Sequence, residues 1–103
     1  VALNNINGGK MDLPLEYKRI AKHNIRLVRE EYIKLQKGLC YYCSNPLTGE
    51  PPAKILSKSV DEDLFPPNFF CWPVHLHHDH ETGMTIGAIH CYCNAVLWQY
   101  HGE

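Results

Sequence analysis

Val74-His75-Leu76-His77-His78-Asp79-His80, then Glu81-Thr82-Gly83, then His90-Cys91-Tyr92-Cys93-Asn94: reading this stretch decides the fold. Phe69 to His78 is rich in aromatic and apolar residues and reads as a strand, with a break at Pro73. Glu81-Thr82-Gly83 has the composition of a turn, and Met84 to Ile89 reads as a second strand. The expectation is a β-hairpin with His77, His78 and His80 at its bend, followed by a short helix over Asn94 to Tyr100. Regular alternation would send His77 and His78 to opposite faces, so the strand must leave regular geometry near His78 if both are to face one ligand.

Outward from the hairpin lie the cysteines. The chain has five, Cys40, Cys43, Cys71, Cys91 and Cys93, and full disulfide pairing would leave one over. Cys40-Tyr41-Tyr42-Cys43 can present two sulfurs to one ion from a tight turn, and His90 and Cys93 repeat the two-residue gap. The preferred set is Cys40, Cys43, His90 and Cys93, with Cys91 in place of His90 as the alternative. Four protein ligands make a closed structural zinc site with no position for water. Such a site would supply folding free energy that a 103-residue chain with a modest core can use. Thiols kept for metal imply a reducing, cytoplasmic setting. Cys71 reads as a buried thiol on a strand, with a second metal site shared with Cys91 or His75 as the other option.

Further out, Leu13 to Lys37 is expected to be one long helix. Asp12 would cap it, Pro14 is tolerable in its first turn and Gly38 stops it. Its apolar stripe is Tyr17, Ala21, Ile25, Val28, Tyr32 and Leu35. Beside the stripe run Lys18, Lys22, Arg26 and Arg29, either a phosphate-contacting face or an ordinary solvated one. Residues 1–12 read as loose, 44–52 as loop, 53–60 as a short strand and 61–68 as loop. The division is an N-terminal arm and basic helix, 1–38, and a metal-binding core, 39–103. The fold class is α+β.

The net charge of −1 conceals an asymmetry: all ten Lys and Arg lie between Lys10 and Lys58, whereas six of the eleven acids and six of the seven histidines follow Ser59. A polyanion would be bound by the first part and transformed by the second. No apolar run approaches membrane-spanning length, and no signal-peptide pattern opens the sequence.

Four histidines and a carboxylate within seven residues fit metal-assisted hydrolysis, because a neutral imidazole is both a metal ligand and a proton acceptor near pH 7. A His-rich metal-storage tract is the bland alternative, though such tracts sit in low-complexity tails rather than in apolar hairpins.

The combination of Cys40-x-x-Cys43, His75-Leu76-His77-His78-Asp79-His80, Thr82-Gly83, Gly87 and His90-x-x-Cys93-Asn94 resembles the HNH (ββα-metal, or His-Me finger) endonucleases, in particular the phage recombination endonuclease VII group. The resemblance covers Cys40 to about Tyr100 and leaves out the basic helix. It implies a small zinc-stapled ββα-metal fold behind a long N-terminal helix, and a metal-dependent endonuclease that hydrolyses DNA to 5′-phosphate and 3′-hydroxyl ends. His78 matches the general base. Asn94 and His77 match the ligands of a catalytic Mg²⁺ or Mn²⁺. His80 matches a further active-site histidine, and His75 one whose role is less defined. Two departures stand out. His77 replaces an Asp, which removes a negative charge and opens the site to Ni²⁺ or Zn²⁺, and the segment between Ser44 and Val74 is long. The implied partner is double-stranded or branched DNA, bound with a steep salt dependence. A homodimer is possible, since one centre per chain makes one nick. The competing reading is a non-catalytic zinc module that binds nucleic acid or protein.

Overall fold

A computed structural model describes residues 6, 7 and 10–102. Most of the expected loose arm, residues 1–5, 8 and 9, lies outside the described residues. Within the rest of it, β1 (Ile6–Asn7) pairs antiparallel with β2 (Lys10–Met11).

The chain is a small α+β unit around one two-stranded antiparallel sheet. β3 (Val74–His78) pairs with β4 (Thr85–His90), and α3 (Cys91–His101) follows β4 without a linker. The hairpin falls where its composition placed it. Strand β3 begins only after Pro73, and Phe69–Cys71 is a 3-10 turn instead of strand. The bend is closed by Asp79, whose carboxylate accepts the backbone N–H groups of Glu81 at 2.7 Å and Thr82 at 3.0 Å. Gly83 takes a φ of 77°, a left-handed conformation that glycine enters without steric cost.

The register shifts between His77 and His78: His77 faces Gly87, and His78 faces Thr85. The irregularity leaves Ile86 of β4 without a partner and breaks regular pairing at the position where the two histidines adjoin.

The expected helix over 13–37 is corrected. Only Ile25–Leu35 is α-helical (α1); Tyr17–Arg19 and Lys22–Asn24 are separate 3-10 turns with extended backbone between them. Tertiary pairing overrides helix propensity here. Leu15 and Tyr17 bind the open edge of the hairpin, Thr85 N–H donating to the Leu15 carbonyl at 2.7 Å and Tyr17 N–H to the Gly83 carbonyl at 2.8 Å. Tyr17 and Ala21 therefore leave the apolar stripe, Leu35 is exposed, and Ile20 joins Val28 and Tyr32 in the core. Gly38, at φ 77°, turns the chain after α1 as expected.

Residues 53–60 do not form a strand: Ala53–Leu56 is a single helical turn (α2) opened by Pro52 and anchored by buried Ile55. No neighbouring strand edge is offered to it, so local helical hydrogen bonding prevails. Glu62–Leu64 is a 3-10 turn inside the expected loop. The core is Val28 from α1, Ile89 from β4, and Cys93 and Val96 from α3, all with no exposed surface. Among the described residues no helix is long and apolar enough to cross a membrane.

Candidate metal centre and adjoining histidine cleft

Cys40 and Cys43 lie on the turn after α1, His90 ends β4, and Cys93 lies in the first turn of α3. Their ligand atoms all fall within 4.8 Å of one another. Cys43 Sγ is 3.4 Å from His90 Nδ1, and Cys93 Sγ is 3.7 Å from it. A tetrahedral site with Zn–S near 2.3 Å and Zn–N near 2.05 Å places sulfur about 3.6 Å from nitrogen, so these two edges have the length a zinc tetrahedron needs.

The surroundings are arranged for the same purpose. The far nitrogen of His90, Nε2, donates to the carbonyls of Pro46 and Gly49 at 3.0 and 3.1 Å, which directs the Nδ1 lone pair toward the sulfurs. Backbone N–H groups of Tyr42 and His90 point at Cys40 Sγ, and that of Asn45 at Cys43 Sγ.

Three thiols this close compete for one negative charge. A hydrogen bond from Cys93 holds Cys40 down to about 4, while that same bond pushes the Cys93 thiol far up and burial raises Cys43. A divalent cation bound by Cys40, Cys43 and Cys93 would resolve the conflict by stabilising all three as thiolates. The four residues are positioned to bind a metal, and their geometry is compatible with structural zinc. Cys91 is outside the cluster. Cys71 is exposed in the 3-10 turn before β3, not buried on a strand, because Pro73 delays the strand beyond it.

The cysteine turn and the hairpin are coupled through Gln36, at the end of α1. Its side-chain amide imitates a peptide of a third strand: Oε1 accepts from Ala88 N–H at 2.8 Å, and Nε2 donates to the carbonyls of Ala88 and Leu39 at 2.9 and 2.7 Å. Tyr41 N–H donates to the Ala88 carbonyl at 2.9 Å. The cysteine turn is thereby docked on β4 one residue before Ile89 and two before His90.

Two clefts meet at His78. The smaller is lined by His77, His78, His80 and the bend at Asp79 and Glu81. The larger, about 960 Å³, runs between α1 and the segment before β3, and contains His75, His78 and Asn94 together with Lys22, Arg26 and Arg29. Three members of the expected basic row thus reach the histidines, although they belong to different helical elements. Lys18 is exposed and does not line the cleft. Arg26 also pairs with Glu30 at 2.8 Å.

His78 stacks on Tyr17, ring centroids 4.1 Å apart and 14° from parallel, with His80 at 5.2 Å. Burial lowers the His78 pKa below its ordinary value, and the His80 ring pushes the same way. The imidazole is therefore neutral at pH 7 and able to accept a proton.

Asn94 reaches His75: its side-chain nitrogen lies 3.1 Å from His75 Nδ1, while His75 Nε2 donates to the Phe69 carbonyl at 2.8 Å. Burial, and secondarily Arg29, lowers the His75 pKa, in accord with a neutral ring whose Nδ1 lone pair is free to accept. His77, 3 % exposed, sits instead in the smaller cleft with its ring 5.9 Å from Tyr41. Imidazole nitrogens and an amide oxygen suit a borderline divalent ion such as Mn²⁺ or Ni²⁺.

The sequence reading missed two features of this region. Tyr17 was assigned to a helical stripe and is instead the platform under His78. The aromatic wall of Phe69 and Trp72 carries no motif, since isolated aromatic residues look the same in a core. Compared with protein-family profiles, with curated proteins and with solved structures, the chain has no significant match.

Proposed function

We propose that the chain is a metal-dependent HNH-type endonuclease with a ββα-metal core, a structural zinc on Cys40, Cys43, His90 and Cys93, and DNA as substrate. The observation that carries the reading is one cleft whose lining includes His78, Asn94 and His75 together with Lys22, Arg26 and Arg29. Cations and a neutral imidazole in one cleft are what phosphodiester hydrolysis asks of a site.

In this reading Lys22, Arg26 and Arg29 bind the backbone phosphates and set the register of the strand. His78, oriented by the Tyr17 ring, takes the proton of the attacking water. His80, at the mouth of the smaller cleft, faces the phosphate or the departing oxygen. His75, locked by the Phe69 carbonyl, holds the Asn94 side chain in place. A divalent ion, Mg²⁺ or Mn²⁺ with Ni²⁺ as a further option, held by Asn94 and His77, would supply positive charge to the non-bridging and leaving oxygens. Proton removal from water with departure of the 3′ oxygen leaves 5′-phosphate and 3′-hydroxyl ends.

The test is nicking of supercoiled plasmid in Mg²⁺, Mn²⁺ and Ni²⁺ by the zinc-loaded protein beside His78→Ala. The expected loss is roughly 10²–10⁴-fold at unchanged zinc content. Equal cleavage by both proteins, or 3′-phosphate ends, overturns the assignment.

A further inference from the structure

The larger cleft has a lining of two chemical kinds. Lys22, Arg26 and Arg29 supply cations to it; Phe69 and Trp72 supply aromatic surface. Trp72 is 65 % exposed, the most exposed of the large apolar side chains among the described residues, and sits on the segment that leads into β3. Phe69 is held in place by Phe65, Phe70 and the edge of His75, so this surface is braced from behind. An exposed indole that lines the same cleft as three cations offers its face to a flat, anionic partner.

We infer that this cleft takes an unpaired nucleobase on the face of Trp72 while the adjacent phosphates lie against Lys22, Arg26 and Arg29, so that the site prefers single-stranded or locally unpaired DNA to intact duplex. The inference deepens the phosphodiester reading of the same cleft and rests on it. Within a duplex each base face is covered by its neighbours, and only base edges and the backbone are offered to a protein. An indole on a groove wall can be covered only by a base that has left the stack, and base–aromatic stacking opposite a cationic track is how single strands are held without sequence preference. A protein reading only the duplex backbone has cations to gain from and nothing to gain from an exposed indole in the same groove.

The experiment uses the full chain, zinc-loaded, with the His78→Ala substitution so that the probe survives. The probes are an oligothymidylate of about ten nucleotides and a hairpin duplex of similar charge. Trp98→Phe leaves Trp72 as the sole indole. Its fluorescence is expected to be quenched by the single strand and not by the duplex. Trp72→Ala is expected to weaken single-strand binding roughly 5- to 100-fold and leave duplex binding unchanged, with Trp72→Phe intermediate. Equal weakening on both probes, no weakening, or quenching by neither probe overturns the inference. Zinc content and circular dichroism report that each variant is folded. Binding is read without cleavage, so stacking that persists in a protein with no nuclease activity would refute only the catalytic reading. Cleavage of intact duplex without any Trp72 signature would refute only this one.

Discussion

Gly87→Ala should destabilise the fold, although replacing a strand glycine ordinarily helps. A Cβ at position 87 would lie 2.6 Å from Gln36 Oε1 and 3.1 and 3.2 Å from the Tyr41 side chain. The Tyr41 ring is half exposed and can tilt. Gln36 cannot retreat freely, because its planar amide is engaged at three points. Reaching ordinary contact at 3.4 Å requires a shift of about 0.8 Å, which stretches the 2.8 Å bond from Ala88 N–H to about 3.6 Å, beyond hydrogen-bond length. Ala88 is fully buried, so its N–H is left without water, at about 1–3 kcal/mol, and the two bonds from Nε2 weaken as well. Against this stands about 0.4–1 kcal/mol from restricting the unfolded chain. The net expectation is a loss of about 1–2 kcal/mol, seen as a fall of about 1 M in the urea midpoint of zinc-loaded protein. Gln36→Ala alone should cost a similar amount, and Gly87→Ala should add little to it because the obstructing atom is gone. A neutral or stabilising Gly87→Ala, or fully additive effects in the double variant, would refute the argument.

Two further outcomes concern the metal and pH. Chelation with a strong zinc ligand, or Cys43→Ser, should abolish cooperative unfolding. A structural zinc contributes on the order of 10 kcal/mol, comparable with the whole stability of a small domain. Cys71→Ser, at an exposed thiol, should leave zinc content and unfolding unchanged. The folded His75 pKa lies below its ordinary 6.5, so the unfolded chain binds more protons between the two values. Stability from this residue is complete above about pH 6.5 and is lost as pH falls toward the folded pKa. Urea midpoints at about pH 7.5 and about pH 5 should differ less in His75→Gln than in the parent protein; an equal difference would show that His75 stays accessible to protons.

The hairpin, the metal quartet and the last helix were legible because each is written locally. Turn residues, period-two apolar positions and a pair of two-residue gaps between ligands need no knowledge of distant chain. His90 rather than Cys91 followed from that spacing, and the structure places His90 Nδ1 among the sulfurs. Cys71 was misplaced by one local signal read too weakly, since Pro73 delays strand formation past it.

The N-terminal third was the least legible. Its apolar periodicity is helical from Tyr17 to Leu35, yet the edge of β4 captures Leu15 and Tyr17 before a helix can include them. Propensity amounts to tenths of a kcal/mol per residue, whereas backbone hydrogen bonds to a buried strand edge are worth more. A strand edge seventy residues away leaves no trace in the segment that will pair with it.

By itself, then, the sequence determined which atoms could hold a metal, where the hairpin bends and which residues carry charge, because composition and spacing act over a few residues. Only the tertiary structure decided that Tyr17 lies under His78, that Asn94 meets His75, and that Lys22, Arg26 and Arg29 line one cleft with His75 and His78. Those pairings depend on how α1, β3 and α3 pack around Val28 and Ile89, and packing is settled by the fit of surfaces from the whole chain.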